Sequence, residues 1–329
     1  MKSNFIEAVK CGVKSLFSSQ KIDESKISKH AIEIIKVLQK NNYEAYIVGG
    51  AIRDILMDKN PKDFDIATNA TPEQIRHLFR RSRIIGRRFK LVHVIDGRDI
   101  IEVSTFRAQP HNKEVMSNGV TKDNEYGTLK EDAERRDFTC NSIYYNPATR
   151  KVIDFYGGVK DIKEKKLSMI GDPKTRFDED PVRILRAIRF SAKLNLKIDK
   201  NIIEAIESKK TQLQSIPYSR LFDEIMKLFL TGHALQSIDL FNKFNLSNYY
   251  FPSFKSTDPE TQSFLLKGLS DTDMRIHSNK SVNPGFLLSV FLWKEVKEVW
   301  GKRNKTSINS TVALNDAIEY VLEKQSKIF

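Results

Sequence analysis

Asp63-Phe64-Asp65 is the carboxylate pair with the clearest chemical meaning in this chain. On an extended strand, residues two apart point to the same side. Two carboxylates side by side repel each other unless a cation sits between them. Oxygen ligands of this kind suit a divalent ion, and paired ions can clamp the attacking and leaving oxygens of a phosphoryl displacement. Alone, such a pair is usually a solvated turn, but its setting changes the reading. Upstream, Tyr43 to Val48 reads as a strand that runs into Gly49-Gly50 and then a helix, Ala51 to Leu56. Glycine lets backbone N–H groups approach a phosphate closely. The helix start adds positive potential, and Arg53 adds a charge-assisted donor. Together the two features describe a nucleotidyl-transfer site.

Three further strings could serve it. Glu102 interrupts the apolar strand Ile100 to Phe106 and becomes a third carboxylate if that strand neighbours the Asp63-Asp65 strand. Asp137 and Asn141 lie four apart and share a face if the helix before them continues. They could bind sugar hydroxyls or assist the metal site. Asp180 and Arg183 offer an acceptor and a planar fork of donors able to read the edge of a base. Arg183, Arg186 and Arg189 recur every three residues on one helix flank.

The elements that must position these residues follow from periodicity and capping. Ile27 to Leu38 has helical spacing. Lys62 to Ala67 reads as a second strand. Thr71-Pro72 opens a helix as N-cap and first residue. Leu91 to Ile95 and Asp99 to Phe106 read as strands around Asp96-Gly97. Asn112 to Asn124 is polar and irregular, a mobile loop. Thr128 to Glu131 fits a capping box for a helix through Arg136. Ile143 to Tyr145 and Val152 to Phe155 suit a hairpin. From about Thr175 onward the spacing is helical, clearest at Glu179–Leu194, Lys200–Ser208, Ser219–Leu230 and Ala234–Phe244. It persists in the tail at Val312, Ala317, Val321 and Leu322. No internal repeat is present.

The 329 residues carry 55 Lys+Arg against 42 Asp+Glu, a net charge of +13. That balance favours a polyanionic partner. Length suggests two or three domains, and 40% hydrophobic with 29% charged residues fits a soluble globular chain. The longest apolar stretch, Phe286 to Trp293, is far too short to span a membrane. The two cysteines, Cys11 and Cys140, form no metal spacing or disulfide framework and suit a reducing cytoplasm. No G-x-G-x-x-G follows a strand, which excludes a Rossmann dinucleotide site.

The strings VGGAIRD, KDFDIATNATPEQIRHLF, RRDFTCNSIYY and EDPVRILRAIRF occur in that order. In this the sequence resembles the class II nucleotidyltransferases of the polymerase-β superfamily, which include bacterial poly(A) polymerases and CCA-adding tRNA nucleotidyltransferases. Ile85 to Val94, Tyr126 to Leu129, Thr272 to His277 and Val282-Asn283-Pro284 resemble the poly(A) polymerases more. The resemblance implies template-independent addition of AMP from ATP to RNA 3′ ends, with pyrophosphate released. It implies that Asp63 and Asp65 hold two Mg²⁺ ions (or Mn²⁺), and that Gly49, Gly50 and Arg53 hold the triphosphate. It makes Asp137 a further active-site carboxylate supported by Arg136 and Asn141. Residue geometry alone leaves the third carboxylate open between Glu102 and Asp137. Asp180 and Arg183 would face the base, with Arg186 and Arg189 lining their helix.

The expected fold is α+β, a mixed-sheet nucleotidyltransferase head followed by all-helical neck and body domains. The boundaries are an N-terminal extension at 1–26, the head at 27–150, a neck for base and RNA binding at 151–245, and a partial RNA-binding body at 246–329. Expected partners are RNA 3′ ends and ATP in the cytoplasm, with no membrane; RNA-decay proteins would work beside such an activity, but no sequence feature names one. The competing readings are CCA addition to tRNA, and a C-terminally shortened, inactive RNA-binding protein, since bacterial poly(A) polymerases continue into a basic tail.

Overall fold

The computed structural model describes residues 17–18, 21–86, 90–97, 99–108, 126–251, 258–304 and 309–328. The expected mobile loop at Asn112–Asn124 and Cys11 lie outside them. The chain divides into two compact units, Met1–Gly171 and Asp172–Phe329.

The first unit is built on a mixed sheet. Its strands are β1 (Phe17–Ser18), β2 (Ala45–Val48), β3 (Asp65–Thr68), β4 (Ser82–Ile85), β5 (Leu91–Asp96), β6 (Asp99–Thr105), β7 (Ile143–Asn146) and β8 (Lys151–Asp154), in the spatial order β1-β8-β7-β2-β3-β6-β5-β4. All neighbours are antiparallel except β3 and β6. The helices are α1 (Lys29–Lys40), α2 (Gly50–Leu56), α3 (Pro72–Leu78), α4 (Leu129–Glu134) and α5 (Gly158–Lys163). The hairpins expected around Asp96-Gly97 and Asn146-Pro147 are present. So are both caps: Thr71 pairs reciprocally with Gln74, and Thr128 with Glu131. The strand after Pro61 begins only at Asp65, so Asp63 stands just before it.

The two sheet faces differ. Val92, Val94, Ile101 and Val103 are buried on one face, where α3 lies against β4, β5 and β6. Val48, Ala67, Tyr144 and Ile153 point to the other and cluster with Phe106 and with Ala133 of α4. Residues directly paired across a sheet share a face. One such row crosses seven strands: Ile153, Tyr144, Val48, Asp65, Glu102, His93 and Arg83. Its first three members are buried under the α4 cluster, while Asp65, Glu102 and Arg83 are exposed and His93 is half-buried.

The expected helix through Arg136 ends at Glu134. The Asp132 carboxylate accepts from Arg135 (2.6 Å), Arg136 (3.1 Å) and Tyr144 Oη (2.7 Å). This holds the chain as it turns into a short 3₁₀ segment, Thr139–Asn141. Residues up to 171 complete the unit from there: the Thr139 amide donates to the Ser168 carbonyl, and the Ile170 amide to the Asp137 carbonyl. Gly158 touches the same segment, and a methyl added there would run into the Thr139 carbonyl. Gly158→Ala is expected to cost about 1–3 kcal/mol and to shift Thr139–Asn141, which denaturant midpoints and site activity would both report.

The second unit is helical: α6 (Pro173–Glu179), α7 (Val182–Leu194), α8 (Lys200–Lys209), α9 (Tyr218–Phe229), α10 (Ala234–Lys243), α11 (Ser247–Tyr250), α12 (Pro259–His277), α13 (Pro284–Arg303) and α14 (Ser310–Gln325). The single helix expected over Glu179–Leu194 is divided at Asp180-Pro181. Proline has no N–H to continue the ladder, and it forces the preceding residue into extended backbone; Asp180 has φ −155° and ψ 95°. Phe229, Phe241, Phe251 and Phe291 form an aromatic core, with ring centroids 4.4 Å apart for Phe251 and Phe291. Asp273, in the Thr272–His277 string, caps α10 by accepting from the Ala234 and Leu235 amides at 2.7 and 3.2 Å.

Candidate active site

Two cross-strand pairings build the site. Val48 is paired with Asp65 across β2 and β3. The Gly49-Gly50 turn that leaves β2 therefore stands beside Asp63-Phe64-Asp65 as it enters β3. Asp65 in turn is paired with Glu102 across β3 and β6, so the strand bearing Glu102 does neighbour the Asp63-Asp65 strand. Asp63 and Asp65 both keep solvent-exposed edges, while Phe64 between them is buried. Asp65 nevertheless feels the surrounding protein: burial pushes its carboxyl up to about 6, helped by the Glu102 and Asp63 charges and opposed by Arg136. His93 Nε2 lies 3.4 Å from a Glu102 oxygen.

The turn is a second cluster. Gly49 has φ +76°, which favours glycine, and its amide donates to the Ile143 carbonyl at 3.2 Å. Arg53 is buried beneath the turn. Its guanidinium binds Asp54 at 2.7 Å and Asn141 Oδ1 at 2.6 Å. Asn141 Nδ2 donates to Asp137 Oδ1 at 3.3 Å, and the Phe138 amide donates to the same oxygen at 2.8 Å. Asp137 and Asn141 therefore meet as expected, but through the 3₁₀ turn rather than along a continued helix. Arg136 reaches across to the Asn141 carbonyl at 3.2 Å, and one of its nitrogens would lie 3.4 Å from a Cβ at Gly49. Burial works against the Arg136 charge, but Tyr144 and Asp132 more than offset it. Asp132 in turn is fully buried; burial raises its pKa, but Arg136 and Arg135 more than reverse this and hold it below the ordinary range.

Asp132 and Tyr144 are the members that sequence reasoning missed. The available signal was Asp132 four residues before Arg136 in a capped helix. Cys140, next to Asn141, is buried, and burial pushes its thiol up to about 12; it is a packing residue.

The remaining candidates lie in the second unit. Asp180 accepts from the Arg220 guanidinium at 2.6 Å and from the Val182 amide at 3.2 Å. Arg183 donates to the Arg176 carbonyl and to Glu179, both at 2.7 Å. Arg186 and Arg189 stack on the Phe190 ring at 5.5 and 4.8 Å, and Arg189 lies 3.5 Å from the buried Glu224.

Comparison with known proteins gives this geometry a context. The family model "Poly A polymerase head domain" matches residues 45–168, which include the sheet strands from β2 on and both clusters. A second, "Probable RNA and SrmB-binding site of polymerase A", matches residues 195–257. Poly(A) polymerase I of Haemophilus influenzae is 44% identical over 82% of this chain and 63% of its own length. A CCA-adding enzyme of Oceanobacillus iheyensis is 33% identical over 88% of the chain and 71% of its own. The chain belongs to the tRNA nucleotidyltransferase/poly(A) polymerase family. It spans somewhat under two thirds of the length of the Poly(A) polymerase I relative. Among solved family structures, a tRNA nucleotidyltransferase complexed with a primer tRNA and an incoming ATP analog superposes with a TM-score of 0.62 at 26% identity, covering 79% of this chain and 75% of that one. The family fold is thus a mixed-sheet head joined to helices, as the sequence implies, and no described helix is long and apolar enough to cross a membrane.

Proposed function

We propose that this chain transfers AMP from ATP to RNA 3′ ends without a template, releasing pyrophosphate, in the cytoplasm. The observation that carries the reading is the β2–β3 register, which sets a glycine turn for phosphates beside a carboxylate pair for metal. The higher identity to a Poly(A) polymerase I than to a CCA-adding enzyme, 44% against 33%, favours adenylate addition.

Among the described residues no group of three or more His, Cys, Asp or Glu stands together as a closed metal site. Mg²⁺ does not need one: it commonly takes one or two carboxylates and completes its shell with water and substrate phosphates. Burial is the main reason the Asp65 pKa is raised, and the Glu102 and Asp63 charges add a repulsion that a cation would relieve. Asp63 and Asp65 fit such an ion, with Mn²⁺ as the alternative. When bound, it would acidify the RNA 3′-hydroxyl and neutralise charge on the triphosphate. The Gly49-Gly50 turn lets the triphosphate approach the backbone, and Arg53 lends positive charge from beneath it. The β3–β6 register supports Glu102 as the third carboxylate, and Asp137, held by Asn141, as the support for the ribose side. Asp180 and Arg183 read the base, with Arg186 and Arg189 bracing their helix.

Primer extension tests this directly. The expected result is a long ladder on unstructured RNA with Mg²⁺ and ATP alone. Addition of CTP and ATP confined to a tRNA lacking its terminal CCA would make the protein a CCA-adding enzyme. No incorporation on either substrate would leave an inactive RNA binder.

A further inference from the structure

The face of the sheet that carries Asp65 does not end at the carboxylates. The paired row continues through Glu102 and His93 to Arg83 on β4, the open edge of the sheet. A second row runs beside it. Ile100 is paired with Ile95, and the Ile95 amide donates to the Arg81 carbonyl at 2.9 Å, extending the same register by one step. Residues two apart on a strand share a face, so Arg81 and Ile100 look the same way as Arg83 and Glu102. On the opposite face, Val92, Val94, Ile101 and Val103 are buried.

Three features of this face have no structural explanation in the fold. Arg81 and Arg83 are exposed, and no ion pair involves either among the described residues. Four other arginines of the same unit are matched to acids, Arg53 with Asp54, Arg135 and Arg136 with Asp132, and Arg150 with Glu24, whereas exposed Arg76 meets only backbone carbonyls. Ile100 is 53% exposed beside a carboxylate. Exposed cations left without acid partners next to an exposed apolar side chain match the two demands of a single nucleic-acid strand, phosphate neutralisation and an apolar surface for a base.

We propose that the RNA primer lies along this face, its 3′ end at Asp63 and Asp65 and its upstream phosphates on Arg83 and Arg81, with Ile100 under a base near the 3′ end. This rests on the reading of Asp63 and Asp65 as the site that takes an RNA 3′ end. Neighbouring strands are about 4.8 Å apart, so three steps from Asp65 to Arg83 span about 14 Å. A stacked strand rising about 3.4 Å per nucleotide covers that in about four nucleotides, and an extended one in fewer. Arg81 and Arg83 would therefore engage phosphates a few nucleotides upstream and leave the incoming ATP untouched.

The test is the double variant Arg81→Ala/Arg83→Ala, with Lys160→Ala as a control for loss of an exposed cation elsewhere on the unit. Primer extension uses oligoadenylates of two and of twelve nucleotides, and the salt dependence of RNA binding is measured separately with the twelve-mer. The expected result is a KM for the twelve-mer raised about tenfold with the KM for ATP unchanged. The dinucleotide, too short to reach the edge, should show no change. The salt slope should fall by about 1.4, two single-strand phosphates at about 0.7 each. An unchanged twelve-mer KM and slope, or an equal loss with Lys160→Ala, would overturn the track while leaving the catalytic reading in place. Retained incorporation in an Asp63→Ala/Asp65→Ala variant would instead remove the catalytic reading, and the track with it.

Discussion

Asp65→Asn is expected to lower AMP incorporation by a factor of about 10³ or more, because it removes a charge-bearing ligand worth several kcal/mol in a metal-assisted phosphoryl transfer. The same variant should fold as well as the parent, or better. In the metal-free protein the ionised Asp65 is disfavoured by burial and by the Glu102 charge, which is why its pKa sits at about 6. A carboxyl whose folded pKa is raised contributes stability that is complete below the ordinary carboxylate range and is lost as pH rises through about 6. A neutral amide escapes that loss at neutral pH. Steady-state kinetics with a parallel thermal melt separates the two effects; loss of activity with a lowered melting temperature would mean that Asp65 is structural. The pH profile follows with the opposite sign for activity. As pH falls through about 6, Asp65 takes up a proton, metal binding weakens, and incorporation at fixed Mg²⁺ declines. More Mg²⁺ should restore it, and Glu102→Gln should move the midpoint to lower pH, since it removes a like charge.

The second large effect is on stability. Asp132 is fully buried and accepts hydrogen bonds from the Arg135 and Arg136 guanidinium groups, the Tyr144 hydroxyl and the Arg107 amide. Asp132→Asn strands two guanidinium groups without their counter-charge, which for buried pairs costs about 3–5 kcal/mol. A melting temperature lower by roughly 10 °C is the expected reading for a unit of this size. Tyr144→Phe removes one hydrogen bond and should cost only about 1 kcal/mol. Because the Asp132 pKa is held below the ordinary range, its stabilisation is present above that range and is lost as pH falls through the depressed value. The gap between parent and variant should therefore be constant through neutral pH and close only in acid. A gap that closes near neutrality would assign the stability to another group.

Local chemistry made much of this legible in the sequence. The caps at Thr71 and Thr128, the turn at Asp96-Gly97 and the strand running into Gly49-Gly50 are decided within a few residues, and each is present. The Asp63-Asp65 pair was legible because its residue types conflict with a bland strand. What sequence could not supply was register. Nothing near Glu102 indicates that it will stand opposite Asp65, because the β3–β6 pairing is parallel and bridges residues that α3, β4 and β5 separate. The Asp137–Asn141 contact was foreseen on the wrong backbone. Helical spacing and a 3₁₀ turn both bring the two together, and only the Asp132 network decides between them. Asp180-Pro181 is legible as an N-cap and first-residue pair, and the helix does start just after it, since proline cannot continue a preceding one. β4 escaped because its short run, Ser82-Arg83-Ile84-Ile85, lacks clean alternation.

The parallel joint between β3 and β6 also bears on folding. Its carboxylates come from segments of long sequence separation, a closure whose entropy cost must be met before the pairing is gained. A nascent or unfolded chain therefore holds no assembled pair of strands to trap a divalent ion. Any cation the finished site takes would bind the native form alone and protect it by mass action, so resistance to proteolysis conferred by Mg²⁺ would mark the moment at which those two strands have joined.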